Sequence, residues 1–366
     1  MMKSNFSRTL LATLLVTTLS VTPFSTVQGC TRALYTADDG MVITGRSMDW
    51  KEDMHSNLWV MPRSIARDGA AGPLSIKWVA KYGSIVASGY DVATTDGMNE
   101  KGMVANLLFL AESDYGKRDP NQPALSISLW AQYVLDNFAT VDETVTALGK
   151  NAFQVVTADL PTQAGRSANL HLSISDSTGD SAIFQYIDGK LTIHHGKQYK
   201  VMTNSPTYDQ QLALNKYWQE IGGLVFLPGT NRSADRFART SFLLDAIPKI
   251  THPAYISAIP NKSFANQAVA SVMSVMRSVS VPLGITTPNQ PNISSTIWRI
   301  AADQTNKVYF FDSATMPNAF WVPLADLNFS PDAPVMKLTL AGGQVYSGNV
   351  AQQFVATAPF KFEPVH

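Results

Sequence analysis

The chain carries a single cysteine, Cys30, in 366 residues. No disulfide can form within it, so packing or assembly must hold the fold. The apolar material for this is present: 45% of the residues are hydrophobic and 15% are charged, which suits one large core. Basic and acidic side chains number 28 each. A balanced chain has no electrostatic reason to seek nucleic acid or an acidic membrane surface. No metal-ligand spacing and no Gly-rich phosphate loop occurs, so no cofactor and no metal is expected.

The position of that cysteine is as telling as its solitude. Lys3 and Arg8 form a basic start, and the apolar run from Thr9 to Val16 follows, weakening through Leu19 and Val21 to Pro23. Small residues then lead to Val27-Gln28-Gly29, a signal-peptidase triplet directly before Cys30. Charged, apolar and cleavage regions in this order predict a leader over 1–29 that is removed on export. The run is short for a membrane span. No stable membrane insertion is expected after processing, and the mature chain is placed in the periplasm or outside the cell. The same Val27-Gln28-Gly29-Cys30 string loosely matches a lipoprotein box, in which the cysteine would carry lipid. Gln28 and the early stop at Pro23 fit that reading poorly.

After Cys30 the pattern is mostly strands and hairpins. Thr31–Tyr35 and Met41–Asp49 flank the turn Asp38-Asp39-Gly40. Apolar strands are expected at Asn57–Pro62, Ile76–Val79, Ile85–Ala87 and Met103–Leu110, with a turn over Asp96–Gly102. The period changes at Ser126–Phe138, where Ile127, Trp130, Val134 and Phe138 recur at helical spacing. Thr140, with Glu143 three residues on, predicts a capped helix to about Leu148. Strands return at Leu170–Ile174, Ala182–Ile187, Lys190–His194 and Tyr199–Thr203, and helices at Thr207–Tyr217 and Ala234–Ile247. Thr286–Ser294 is Pro- and Asn-rich, hence a loop, and Ser295–Ile300 with Lys307–Phe311 forms a late hairpin. Strand blocks separated by helical pairs, with no shift in composition, predict one α+β layered domain over 30–366.

A cysteine at a new N-terminus carries its own base. An unperturbed α-amine titrates at about 7.7–8.0, near working pH, where a general base is most effective. The attacking species is the thiolate. None of the six histidines sits in a Cys–His protease signature, and His194 and His195 fall on opposite faces of a strand as ordinary polar residues.

Several segments, in order, resemble one family. They are Cys30-Thr31-Arg32, Gly45-Arg46-Ser47-Met48-Asp49-Trp50, Asn99-Glu100-Lys101-Gly102, Thr203-Asn204-Ser205-Pro206, and Leu227-Pro228-Gly229 followed by Asp235-Arg236-Phe237. Together they are similar to the choloylglycine hydrolase family of N-terminal-nucleophile hydrolases, which holds the penicillin V acylases and the conjugated bile salt hydrolases. The leader and the Asp49-Trp50 pair look most like its Gram-negative penicillin V acylase branch. The resemblance implies an αββα fold with two stacked antiparallel sheets, hydrolysis of a linear, non-peptide amide of a small acyl-amide substrate through a thioester, and a homotetramer.

The resemblance also implies roles for individual residues. Cys30 is the nucleophile, Arg46 lowers the thiol pKa by charge, and Asp49 orients the α-amine. Asn204 donates to the oxyanion, and Arg236 completes the charge network. Phe109 stands where bile salt hydrolases have Asn and other penicillin V acylases an aromatic residue, so a backbone N–H there can still serve the oxyanion. Trp50 and Phe109 would grip the acyl group. Penicillin V is the first substrate implied, N-acyl-homoserine lactones the second and bile salts the third. An exported, lipid-anchored binding protein is the reading from a different class.

Overall fold

The computed structural model describes residues 29–286 and 294–365. The expected leader, up to residue 28, lies outside the described residues, as does most of the expected loop between Thr286 and Ser294. Two large sheets dominate. One has seven strands in the order Val201–Met202, Thr31–Thr36 (β1), Val42–Trp50 (β2), Ser295–Asp303, Val308–Ser313, Ala319–Pro323, Gly348–Asn349. The other has nine, running from Lys190–His195 through Ser181–Ile187, Leu170–Ser175, Val104–Phe109, Ala93–Asn99, Ser84–Gly89 and Leu58–Met61 to Met336–Leu338 and Val355–Ala356. Both are antiparallel except for one short parallel edge pair, Ala319–Pro323 with Gly348–Asn349.

The sheets face each other. Thr44 Oγ1 and Ser175 Oγ are 2.7 Å apart, Tyr309 donates its hydroxyl to Asp96 at 2.6 Å, and Gln304 donates to the Gly102 carbonyl at 2.8 Å, each across the gap. Helices close the outside. On the nine-stranded side α1 (Trp130–Asn137) packs on Ala93–Asn99 and Val104–Phe109, and α2 (Val141–Leu148) on Ser181–Ile187. On the seven-stranded side α4 (Ser233–Ala246) covers β1, α5 (Phe264–Ser278) covers β2 and Ser295–Asp303, and α3 (Tyr208–Ile221) packs on α4. The order of layers is αββα, as the resemblance implies.

Local chemistry explains the main elements. Every residue of β2 is buried, because one face meets the opposite sheet and the other meets helices, so both alternating sets of side chains lie in the interior. Gly45 permits the closeness of α5: a Cβ there would come within 2.8 Å of Val272 and 2.9 Å of Met276. The Thr140–Glu143 capping box forms as expected and opens α2.

Two expectations are corrected, and one helix was not expected. Asp96, Gly97 and Met98 belong to the strand Ala93–Asn99, and the turn is confined to the residues after it. Asp96 looked like a turn former because a carboxylate is costly to bury; here it is fully buried but bonded. The strand expected over Tyr199–Thr203 is reduced to Val201–Met202. Helix α5, with Val269, Val272, Met273 and Met276 buried at helical spacing, has no counterpart in the expectations above.

Candidate active site

Register brings the site together. β1 and β2 pair with Thr31 opposite Ser47 and Arg32 opposite Arg46, which carries Cys30, one residue earlier, to Met48 and Asp49. The Cys30 sulfur lies 3.9 Å from Met48 Sδ, accepts from the Asp49 N–H at 3.5 Å and lies 3.7 Å from the Asp49 carbonyl. Successive side chains on a strand point to opposite faces. Arg46, Met48 and Trp50 therefore share one face of β2, where all three line an apolar cavity with Cys30, while Asp49 points to the other face. Arg46 and Asp49 thus straddle the cysteine.

On the Asp49 face, Thr296, the register partner of Asp49 on Ser295–Asp303, donates to Asp49 Oδ1 at 2.6 Å. Asp49 Oδ2 is buried with no hydrogen-bond partner. Burial pushes the carboxyl up to about 6, against the pull of Arg236. Gly29 fills the space between Asp49 and Arg236: a Cβ on it would stand 3.2 Å from Asp49 Oδ2 and 3.3 Å from Arg236 Nη2.

Arg236, on α4, is fully buried and bonds to oxygens rather than to a carboxylate. It donates to the Cys30 carbonyl at 2.6 Å, to Thr31 Oγ1 at 2.5 Å, to the Asn231 carbonyl at 3.0 Å and to Asn204 Oδ1 at 2.8 Å. A guanidinium only donates, so the last bond forces the Asn204 amide to turn its NH₂ the other way, where it donates to the Phe109 carbonyl at 2.7 Å. His171 steadies the segment that carries Asn204: its Nε2 lies 2.8 Å from the Thr203 carbonyl, and burial holds its pKa down to about 3. It is a neutral support, not a base.

On the other face, Arg46 donates to the Leu107 carbonyl at 2.9 Å and lies 4.6 Å over the Trp298 ring. Its Nε is 3.9 Å from Asp96 Oδ2, and its Nε and Nη1 have no hydrogen-bond partner. Asp96 in turn accepts from Asn106 Nδ2 and the Tyr309 hydroxyl, both at 2.6 Å. Arg46 does pull the Cys30 thiol pKa down, but burial outweighs it and the net direction is upward while Gly29 is attached. The charge of Arg46 thus acts on the thiol in the expected direction, against a larger effect of burial.

The cavity beyond Cys30 is walled by Trp50, Met54, Leu107, Phe109, Ile127 and Leu160, among others. Trp50 is fixed by a chain of bonds, Nε1 donating to Tyr90 at 2.9 Å and Tyr90 to Glu52 at 2.8 Å. All seven residues singled out in the sequence gather here: Cys30, Arg46, Asp49, Asn204, Arg236, Trp50 and Phe109. Sequence reasoning missed Asp96, Thr296, Tyr90 and Trp298. Only Asp96 left a signal, the β-forming run Ala93-Thr94-Thr95 before it. Among the described residues no cluster of His, Cys, Asp and Glu could hold a metal ion, and no helix is long and apolar enough to cross a membrane.

Comparison with known proteins agrees with this geometry. The family described as linear amide C–N hydrolases, choloylglycine hydrolase family, matches residues 30–337. A penicillin V acylase of Pectobacterium atrosepticum is 49% identical over 348 residues, 91% of this chain and 92% of that protein. A bile salt hydrolase/transferase of Clostridium perfringens is 32% identical over 249 residues, 60% of this chain and 73% of that protein. The solved structure of a penicillin V acylase from Agrobacterium tumefaciens superposes with a TM-score of 0.82 at 55% identity, covering 92% of this chain and all of that one.

Proposed function

The chain belongs to the choloylglycine hydrolase family of linear amide C–N hydrolases, and from that premise we propose that it is a penicillin V acylase whose nucleophile and base are both supplied by Cys30 after the residues before it are removed. The observation that carries the mechanism is the pair Asp49 Oδ2 and Gly29. A fully buried carboxylate oxygen without a partner costs about 1–3 kcal/mol or more, and the residue wedged against it is the one that cleavage removes. With Gly29 gone, the Cys30 α-amine takes that place, and its N–H becomes the missing donor to Asp49.

The chemistry follows from the two faces. The α-amine accepts the thiol proton, Arg46 favours the thiolate, and the sulfur attacks the amide carbon of a substrate whose acyl group lies in the apolar cavity. Asn204, its amide oriented by Arg236, donates to the oxyanion together with the Phe109 backbone N–H. The amine leaves with the proton, and water hydrolyses the thioester. Phenoxyacetyl suits the cavity because Trp50 and Phe109 both line it, and the two penicillin V acylases noted above cover nearly all of this chain. Export and autocatalytic or signal-peptidase removal of the leader rest on the Lys3–Gly29 pattern. Assembly as a homotetramer rests on the family resemblance and is checked by sedimentation velocity.

The test is a panel of penicillin V, a long-chain acyl-homoserine lactone and glycocholate. The proposal expects the highest kcat/KM on penicillin V. Turnover of glycocholate alone would move the chain to the bile salt branch, and no turnover of any amide would end the acylase reading. The homoserine-lactone reading keeps second place, since the same apolar walls accept a straight acyl chain.

A further inference from the structure

The acyl cavity is closed on one side by chain that the family match does not include. The match ends at residue 337, yet Glu363 lines the cavity beside Val92 and Ser128. The last residues leave the edge strand Val355–Ala356 and run back across the molecule as a strap. Phe360 packs edge-on against Trp59, ring centres 5.1 Å apart, and Arg67 lies 5.5 Å over Phe362. Backbone bonds fix the depth of the strap: Glu363 donates its N–H to the Val92 carbonyl at 2.8 Å, and Val365 to the Ala70 carbonyl at 3.0 Å. The Glu363 carbonyl accepts from two hydroxyls of one turn, Ser126 at 2.7 Å and Ser128 at 2.8 Å.

A segment merely draped over the surface would not be tied at this density to two of the segments that form the cavity, 89–93 and 127–128. Val92 and Ser128 are at once anchors of the strap and walls of the site. Residue 363 is therefore held in place by bonds to residues that themselves line the cavity.

We propose that residues 360–365 are a specificity-determining wall, with Glu363 limiting the length of acyl group the enzyme accepts. This rests on the acylase reading for the reaction, but not for the cavity. Removing the strap opens the cavity to longer chains, and enlarging residue 363 shortens it.

The experiment compares wild type, a chain ending at residue 359, Glu363→Ala and Glu363→Trp on acetyl, phenoxyacetyl and dodecanoyl amides of one amine. Each chain is also titrated calorimetrically with phenoxyacetate and dodecanoate. Truncation is expected to raise the dodecanoyl-to-phenoxyacetyl ratio of kcat/KM about tenfold, Glu363→Ala to raise it about threefold, and Glu363→Trp to lower it about tenfold while acetyl turnover is kept, since pocket fit discriminates acyl chains on this scale. If the truncated chain does not fold, the Ala and Trp substitutions still move the ratio in opposite directions. A ratio within twofold of wild type in both point variants overturns the proposal. Failure of wild type to cleave any amide overturns the acylase reading instead, and the dodecanoate-to-phenoxyacetate affinity ratio then tests the wall.

Discussion

The two sides of Cys30 are built on opposite principles. Toward α4, fully buried charged and polar groups meet within a few ångströms, and nearly every atom is assigned: Arg236 alone donates to Cys30, Thr31, Asn231 and Asn204. Toward the acyl cavity, the walls are apolar side chains from several segments far apart in the chain, and few hydrogen bonds fix their identity. The polar side is intolerant because each member leaves another without a partner when removed. The apolar side tolerates changes of shape at modest cost. Chemistry is thus held constant on one side while substrate choice can vary on the other.

The comparison is sharpened most by Cys30→Ala, which is expected to reduce kcat/KM on penicillin V by about 10⁴-fold or more, as loss of a nucleophile does elsewhere; residual turnover within tenfold of wild type would show that another group attacks. Next is Asn204→Ala, which removes an oxyanion donor and is expected to lower kcat by about 10²–10³-fold with little change in KM. A change confined to KM would assign Asn204 to binding. Asp96→Asn leaves Arg46 without its buried counter-ion and Tyr309 or Asn106 without a full acceptor, so unfolding in urea should show a loss of about 3 kcal/mol. Stability equal to wild type would mean that the pair across the sheets is not engaged. On the apolar side, Phe109→Ala should raise KM for penicillin V about tenfold and leave kcat within about threefold. If kcat falls as steeply as for Asn204→Ala, the two sides are not separable.

The smallest effect is on pH. In a chain that keeps Gly29, the Asp49 carboxyl is raised from 3.8 to about 6, chiefly by burial. Between those values the folded state holds a proton that the unfolded state has released, so stability is lost as pH rises through this window and does not return above it. Thermal melts of uncleaved Cys30→Ala should show that decline, and Cys30→Ala/Asp49→Asn should lack it. Equal slopes in the two chains would assign the decline to other groups.

What could be read from the sequence follows the same division. The residues around the sulfur are written in one short, dense run: β2 supplies Asp49 to the polar side and Arg46, Met48 and Trp50 to the cavity face, and the hairpin turn Asp38-Asp39-Gly40 fixes the register that delivers Cys30 to them. The rest of the apolar side has no such run. The hairpin built on Asp159–Leu160 and Gln163–Ser167, the turn at Ile127–Leu129 and the strap at 360–365 are brought together only by tertiary packing, and no local pattern announces them. Asp96 failed to register for a related reason. A carboxylate before a Gly suggests a turn unless the partners that make its burial possible, Tyr309 and Asn106, are known. Helix α5 is amphipathic and is preceded by Ser263, a cap-forming residue type, but that side chain makes no capping bond, so packing and not a local cap defines its start.

Intact-mass analysis of the purified active enzyme, paired with its kcat/KM, tests the central claim most directly. The account predicts a polypeptide that begins at Cys30 with a free α-amine and no adduct on sulfur. Full activity in a protein that retains Gly29, or whose Cys30 amine is blocked, would contradict it.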